Sequence, residues 1–425
     1  MFKKADWIFN TNVYEVNLRQ YTTQGTINAF AKELPRLKDM GVSTLWFMPI
    51  TPISIKERKG SMGSQYACSN YTSVGAEYGT LADFKNIVSL AHEMGFKVIL
   101  DWVANHTGWD HVWTVEHPGY YKIDEVTNDF KKASGMDDII ELDFNNPDLR
   151  KAMIAAMQFW IEECDIDGFR CDLAFWVQLD FWIEARTALE KIKTIFWLAE
   201  SDPVDNSTYF QAFDACYTWA WMHKTAEFYK GSQDKKMLDA VLKQYDQMAG
   251  NDNLFLWFTS NHDENTWKGT EFEKYGDAAD VFAVFSFTWN GIPLIYSGQE
   301  LPNLKRLEFF DKDPIEWNGE YAKHEFYKTL LNLHKNNPAL RAGNRTVSTR
   351  LVRTNANDVL LTYLRAFEKD EVLVVLNFCK YPVECIIEDE HVNGSFKNIF
   401  TGEELFIQAR SRFVLGAWEY LVFEK

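Results

Sequence analysis

A chain of 425 residues is longer than one hydrophobic core usually organises, so two or three domains are expected. Its net charge of −17 argues against nucleic acid and anionic membrane surfaces, which need a basic footprint, and leaves a neutral ligand unaffected. The six scattered cysteines (68, 164, 171, 216, 379 and 385) make neither a disulfide framework nor a paired CxxC zinc motif. No apolar run approaches the roughly 20 residues of a membrane span. The first residues, Met1 to Trp7, lack the long apolar stretch of a signal peptide. The expectation is a soluble protein, cytoplasmic if the chain is full length and periplasmic or extracellular if a leader was removed.

From residue 7 to residue 340, apolar β-rich runs alternate with amphipathic stretches. Strands are predicted over residues 7–16, 42–49, 97–103, 166–173, 194–200, 214–221, 253–260 and 292–297; near-continuous apolarity is the pattern of strands covered on both faces. Between them, Leu81, Phe84, Ile87, Val88 and Ala91 recur at helical spacing, with Thr80 placed to cap and Gly95 to stop. Asn146-Pro147 opens another helix, striped by Leu149, Met153, Met157 and Ile161. Eight strands with eight crossovers predict an α/β fold, a (β/α)8 TIM barrel over residues 1–106 and 147–341. A doubly wound open sheet is the rival, though it rarely needs eight regular units. Residues 107–146 are too long and too aperiodic for a βα turn and are predicted to protrude as a small loop domain on the active face. Beyond residue 342, alternating runs at 346–352, 359–365, 371–377, 383–387, 396–400 and 412–423 predict a C-terminal antiparallel β-sandwich over 342–425.

In a barrel, polar residues at the C-terminal ends of strands read as chemistry. The third strand ends in Asp101 with Asn105-His106 beyond it, the fourth in Arg170-Cys171-Asp172, the fifth in Glu200, and the seventh in Asn261-His262-Asp263. Tyr66 lies in the loop after the second. Strand parity puts Arg170 and Asp172 on one face and Cys171 on the other, towards the helices. Arg170 is expected to depress the pKa of Asp172 and keep it ionised, and apolar surroundings to raise that of Glu200. Two carboxyls with opposed pKa shifts are the chemistry of glycoside hydrolysis. The bland alternatives are a supporting role for Asp101, satisfied loop histidines for His106 and His262, and a core aromatic for Tyr66.

DWVANH (101–106), GFRCDLA (168–174), LAES (198–201) and SNHDE (260–264) resemble, in order, the four signature segments of the α-amylase superfamily, glycoside hydrolase family 13. Stretches at 41–49, 141–145 and 291–300 are similar to its second strand, its domain B segment and its eighth strand. By that resemblance Asp172 is the expected nucleophile, Glu200 the acid/base and Asp263 the third catalytic carboxylate. It likewise makes Tyr66, His106, Arg170 and His262 substrate-binding residues and Asp101 a supporting carboxylate. The counterparts of Asn105 and Asp143 bind calcium in the family, so structural calcium is an expectation here, with no cofactor needed for the chemistry. Asn70 stands where the family commonly has Asp, and Phe175-Trp176 where many α-amylases have Lys-His, which implies an apolar leaving-side subsite. The implied function is retaining hydrolysis of α-1,4-glucosidic bonds in starch or maltooligosaccharides. The alternatives are an α-glucosidase, a transglycosidase or isomerase on short α-glucosides, or a non-catalytic scaffold. Oligomeric state is not legible.

Overall fold

The computed structural model describes residues 2–232, 234–343 and 346–425. Eight parallel strands close a barrel: β1 (Val13–Val16), β2 (Thr44–Phe47), β3 (Lys97–Trp102), β4 (Gly168–Cys171), β5 (Phe196–Ala199), β6 (Ala215–Tyr217), β7 (Leu254–Trp257) and β8 (Ile292–Tyr296), with β1 pairing both β2 and β8. Alternation sorts each strand's side chains into two layers. Val13, Trp46, Ile99, Leu198, Ala215, Leu256 and Leu294 fill the interior, while Tyr14, Leu45, Leu100, Phe169, Trp197 and Ile295 face the helices. Gly168 is required where β4 meets β5, because a Cβ there would lie 2.2 Å from the Phe196 carbonyl oxygen.

The outer ring contains α1 (Leu34–Met40), α2 (Leu81–Glu93), α3 (Pro147–Cys164), α4 (Leu179–Leu189), α5 (Trp219–Tyr229), α6 (Lys235–Met248), α7 (Ala279–Thr288) and α8 (His324–Asn336). The expected caps are present: Thr80 and Asp83 form a reciprocal capping box on α2, and the Asn146 side chain accepts from the first backbone N–H groups of α3. Two expectations need correction. Residues 7–10 of the first predicted strand lie instead in a 3-10 turn, Asp6–Asn10, and Ile8 plugs the barrel interior; a buried apolar run reads alike for a plug and a strand. The fifth crossover is made only of the short turns Pro203–Asn206 and Ser207–Gln211.

After β3, residues 106–141 leave the barrel as irregular backbone with short helical turns, returning through a two-residue ladder between His106–Thr107 and Ile140–Glu141. The C-terminal strands are β9 (Ser348–Leu351), β10 (Leu360–Phe367), β11 (Asp370–Asn377), β12 (Val383–Ile386), β13 (Gly394–Asn398), β14 (Glu404–Ile407), β15 (Arg412–Leu415) and β16 (Tyr420–Glu424). They form a sheet of order β9-β10-β11-β16-β13-β14 and a β12–β15 pair. The run predicted at 412–423 is therefore two strands in different sheets. On β11, Leu373 and Val375 face the core shared by the two sheets, while Val372, Val374 and Leu376 join the barrel's outer core. Phe282 of α7 against Phe378, and Phe326 of α8 against Phe400, continue that contact.

Candidate active site

Strand register brings the predicted residues together. Asp101 on β3 is the direct neighbour of Arg170 on β4, and the Arg170 guanidinium is the hub. Its Nη1 donates to Asp101 Oδ1 at 2.9 Å and Asp172 Oδ1 at 3.0 Å, its Nη2 lies 2.9 Å from Glu200 Oε2, and its Nε donates to the Tyr217 hydroxyl at 3.1 Å. The rings of Trp46, Tyr217 and Tyr66 surround it within 5.0–5.9 Å. Asp101 Oδ2 accepts from Trp46 Nε1 and the Tyr66 hydroxyl. Leu173 adopts a left-handed conformation at φ +39°, a strain of order 1–3 kcal/mol, and its N–H donates to Glu200 Oε2 at 2.8 Å. Cys171, as parity predicts, is buried in the outer core.

This crowding reverses one expectation. Asp172 titrates well above the ordinary carboxylate range, because burial and the neighbouring Glu200 outweigh Arg170. Asp101 is pushed up to about 6, by burial first, against the pull of Arg170 and His262. Sequence spacing pairs Arg170 with Asp172 alone; in the structure one guanidinium serves Asp101, Asp172 and Glu200, so its single charge is divided. Asp101 and Asp172 are therefore both raised, because burial and neighbouring carboxylates outweigh their share of that charge.

A residue absent from the sequence reading completes the network. Glu15, fully buried on β1, lies 2.5 Å from His262 Nδ1. The Tyr66 hydroxyl is 2.7 Å from His262 Nε2 and donates to Asp101, and Asp263 Oδ2 is 3.4 Å from the same nitrogen. A hydroxyl that donates to Asp101 must accept from His262 Nε2, and with the Glu15 carboxylate accepting from Nδ1 both imidazole nitrogens carry protons. Burial pulls the His262 pKa down, but Asp263 and Glu15 outweigh it and raise it to about 9. In Glu15→Gln the His262 titration, followed by imidazole NMR, is expected to fall from about 9 towards the ordinary value of about 6.5. An unchanged titration would assign the cation to Asp263 alone. The detectable signal was parity: Glu15 shares the inward face with Val13.

His106 behaves oppositely. Burial lowers its pKa to about 4, so the ring is neutral. Asn105 Nδ2 lies 3.3 Å from its Nδ1, and its buried Nε2 has no protein partner among the described residues, nor has Asp172 Oδ2.

Both atoms belong to residues lining a cavity of about 270 Å³, with Tyr66, Glu200, His262 and Asp263. Tyr66 stacks between His262 and Phe309 in the cavity wall, with centroids 5.4 and 6.1 Å away. A second cavity of about 510 Å³ shares Leu173 and Glu200 with the first and is lined further by Phe175, Trp219, His223 and Glu264. A larger hollow of about 760 Å³ beside Phe2, Lys4 and Phe210 is lined by no carboxylate. Chemistry, not size, identifies the site. All the predicted residues except Asn105 and Asp143 therefore belong to this network or line its cavity. Asn70 holds a local turn, its Oδ1 accepting from both the N–H and hydroxyl of Thr72.

The family model of the α-amylase catalytic domain matches residues 8–120 and 117–344. The chain is 26% identical over 391 residues to α-amylase MalA of Haloarcula japonica, covering 88% of this chain and 56% of that enzyme. Among solved structures it is similar to a maltogenic α-amylase, AmyB, of Thermotoga neapolitana (28% identity, TM-score 0.88, 98% and 99% of the two chains). It is also similar to an α-amylase of Lactobacillus plantarum (27%, TM-score 0.86, the same coverage). With the barrel, the ordered motifs and the family match in agreement, the chain belongs to the α-amylase family of glycoside hydrolases.

Proposed function

We propose that this protein hydrolyses α-1,4-glucosidic bonds in maltooligosaccharides or starch with retention of anomeric configuration. One observation carries the reading: a single guanidinium holds Asp172 and Glu200 on its two terminal nitrogens, at the junction of two cavities. Sharing one guanidinium keeps the two carboxyls on the same small locus, which supports a closely spaced retaining pair. Asp172 attacks the anomeric carbon as Glu200 passes a proton to the glycosidic oxygen. The leaving saccharide departs on the Phe175–Trp219 side, and Glu200 then takes a proton from the water that releases the sugar from Asp172. Glu15, Asp101, Asp172, Glu200 and Asp263 outnumber the cations they pair with, Arg170 and His262, so the local field favours the positive charge that develops at the anomeric carbon. Tyr66, His106, His262 and Asp263 supply the sugar's hydrogen-bond partners.

Wild type and Asp172→Asn incubated with starch, maltoheptaose, maltose, isomaltose, sucrose and trehalose test this. Malto-products from the α-1,4 substrates with wild type alone support it; silence on all six would leave a scaffold. The name of the Thermotoga neighbour favours, as second reading, an enzyme that makes short products.

Calcium does not fit well here. Asn105 and Asp143 offer two ligating side chains, at most three oxygens of the six to eight that calcium takes, and Asp143 Oδ1 already accepts from the backbone N–H and Nδ2 of Asn145. We expect a chelator to leave the melting temperature within about 2 °C, a shift below ~1 kcal/mol; a larger fall would mean further ligands gather on binding.

A further inference from the structure

The nucleophile's cavity is lined by an ion pair that takes no part in the second cavity. Lys59, in the loop after β2, places its Nζ 2.7 Å from Asp138 Oδ1, in the loop after β3, and 5.8 Å from the centroid of the Phe310 ring, in the loop after β8. Lys59, Asp138 and Phe310 all line the first cavity and none lines the second. The three loops are bound together by backbone. The Phe310 carbonyl accepts from Met62 and Gly63 at 3.0 and 3.1 Å, and Ser61 N–H donates to Asp311. Ile55 and Lys56 N–H both donate to Asp110, and Trp109 Nε1 donates to the Asp137 carbonyl. Gly60, at φ +61°, sits so close that a Cβ would fall 2.5 Å from that of Phe310. The ion pair therefore sits on anchored loops.

The proposal rests on the reading of Asp172 as nucleophile. Asp172 lines only the smaller cavity, so the glucosyl unit it attacks lies there. Any units further towards the non-reducing end must extend away from Glu200. We propose that the Lys59–Asp138 bridge blocks that extension and makes the enzyme chain-end-directed: it takes the non-reducing ends of α-1,4-glucans and releases short saccharides, with the ammonium and carboxylate facing the terminal hydroxyls. The cavity on the leaving side, about 510 Å³ against 270 Å³, accommodates the rest of the chain.

The probes are aryl maltoheptaoside with a free non-reducing end and the same compound blocked there by a cyclic acetal. Wild type is expected to cleave the free compound at least about tenfold faster than the blocked one. Lys59→Ala should narrow that ratio and lengthen the first products. The exchange Lys59→Asp/Asp138→Lys, which restores the bridge, should restore the ratio; it also decides the matter if the single variant fails to fold. Equal wild-type rates on the two compounds would overturn the proposal, as would a ratio that Lys59→Ala leaves intact. No cleavage of either compound, with starch also untouched, would instead sink the glycosidase reading.

Discussion

Asp172→Asn is expected to lower kcat on maltooligosaccharides by about 10⁴-fold or more, because it removes the covalent route and leaves only binding and electrostatics. Asparagine has nearly the same shape, and Arg170 keeps Asp101 and Glu200 as partners, so the fold should survive. Glu200→Gln should differ in kind. Proton donation contributes about 10²–10⁴-fold, and only when the leaving group needs the proton. Its deficit should be large on maltotriose and shrink on an aryl glucoside whose phenolate departs unaided, whereas that of Asp172→Asn should persist on both. The raised pKa of Asp172 adds a pH signature. The nucleophile works ionised, so wild-type kcat/KM should fall as pH drops through a value above the ordinary carboxylate range of about 4. Equal deficits for both variants on both substrates would break the assignment of roles.

What the sequence discloses follows from how local each determinant is. The barrel was legible because strands buried on both faces carry uninterrupted apolar runs, and the capping residues of α2 and α3 act within one turn. Arg170 and Asp172 were legible as neighbours because parity fixes them. The charge state of Asp172 was not. It depends on Asp101 and Glu200 arriving at the same guanidinium from other strands, and a motif read alone credits Arg170 to its nearest acid. Glu15 was hidden by its company: one carboxylate among Val13, Tyr14 and Val16 reads as a flaw in an apolar run until β1 is set beside His262. The Lys59–Asp138 bridge joins loops 79 positions apart and has no periodicity to betray it.

Arg170→Met is expected to destabilise the protein by about 3–5 kcal/mol at neutral pH, since breaking a buried ion pair strands its partner charges. Here three carboxyls lose their common cation, and Tyr217 loses a hydrogen bond. The loss should depend on pH in a defined direction. Without the guanidinium the raised folded-state pKa values of Asp101 and Asp172 climb further above their unfolded values. A carboxyl raised in the folded state contributes stability while it is protonated and loses it as pH climbs. The melting-temperature gap between wild type and Arg170→Met should therefore be smallest near pH 4, where the carboxyls are protonated in both proteins, and widen towards pH 7. Arg170→Lys separates charge from geometry. An ammonium restores one positive charge but not the planar fork that reaches Asp172 and Glu200 from opposite nitrogens. It should recover part of the stability and little of the turnover. A melting-temperature gap constant across pH 4–7 would mean that the guanidinium matters here for packing among Trp46, Tyr66 and Tyr217 rather than for holding the acids.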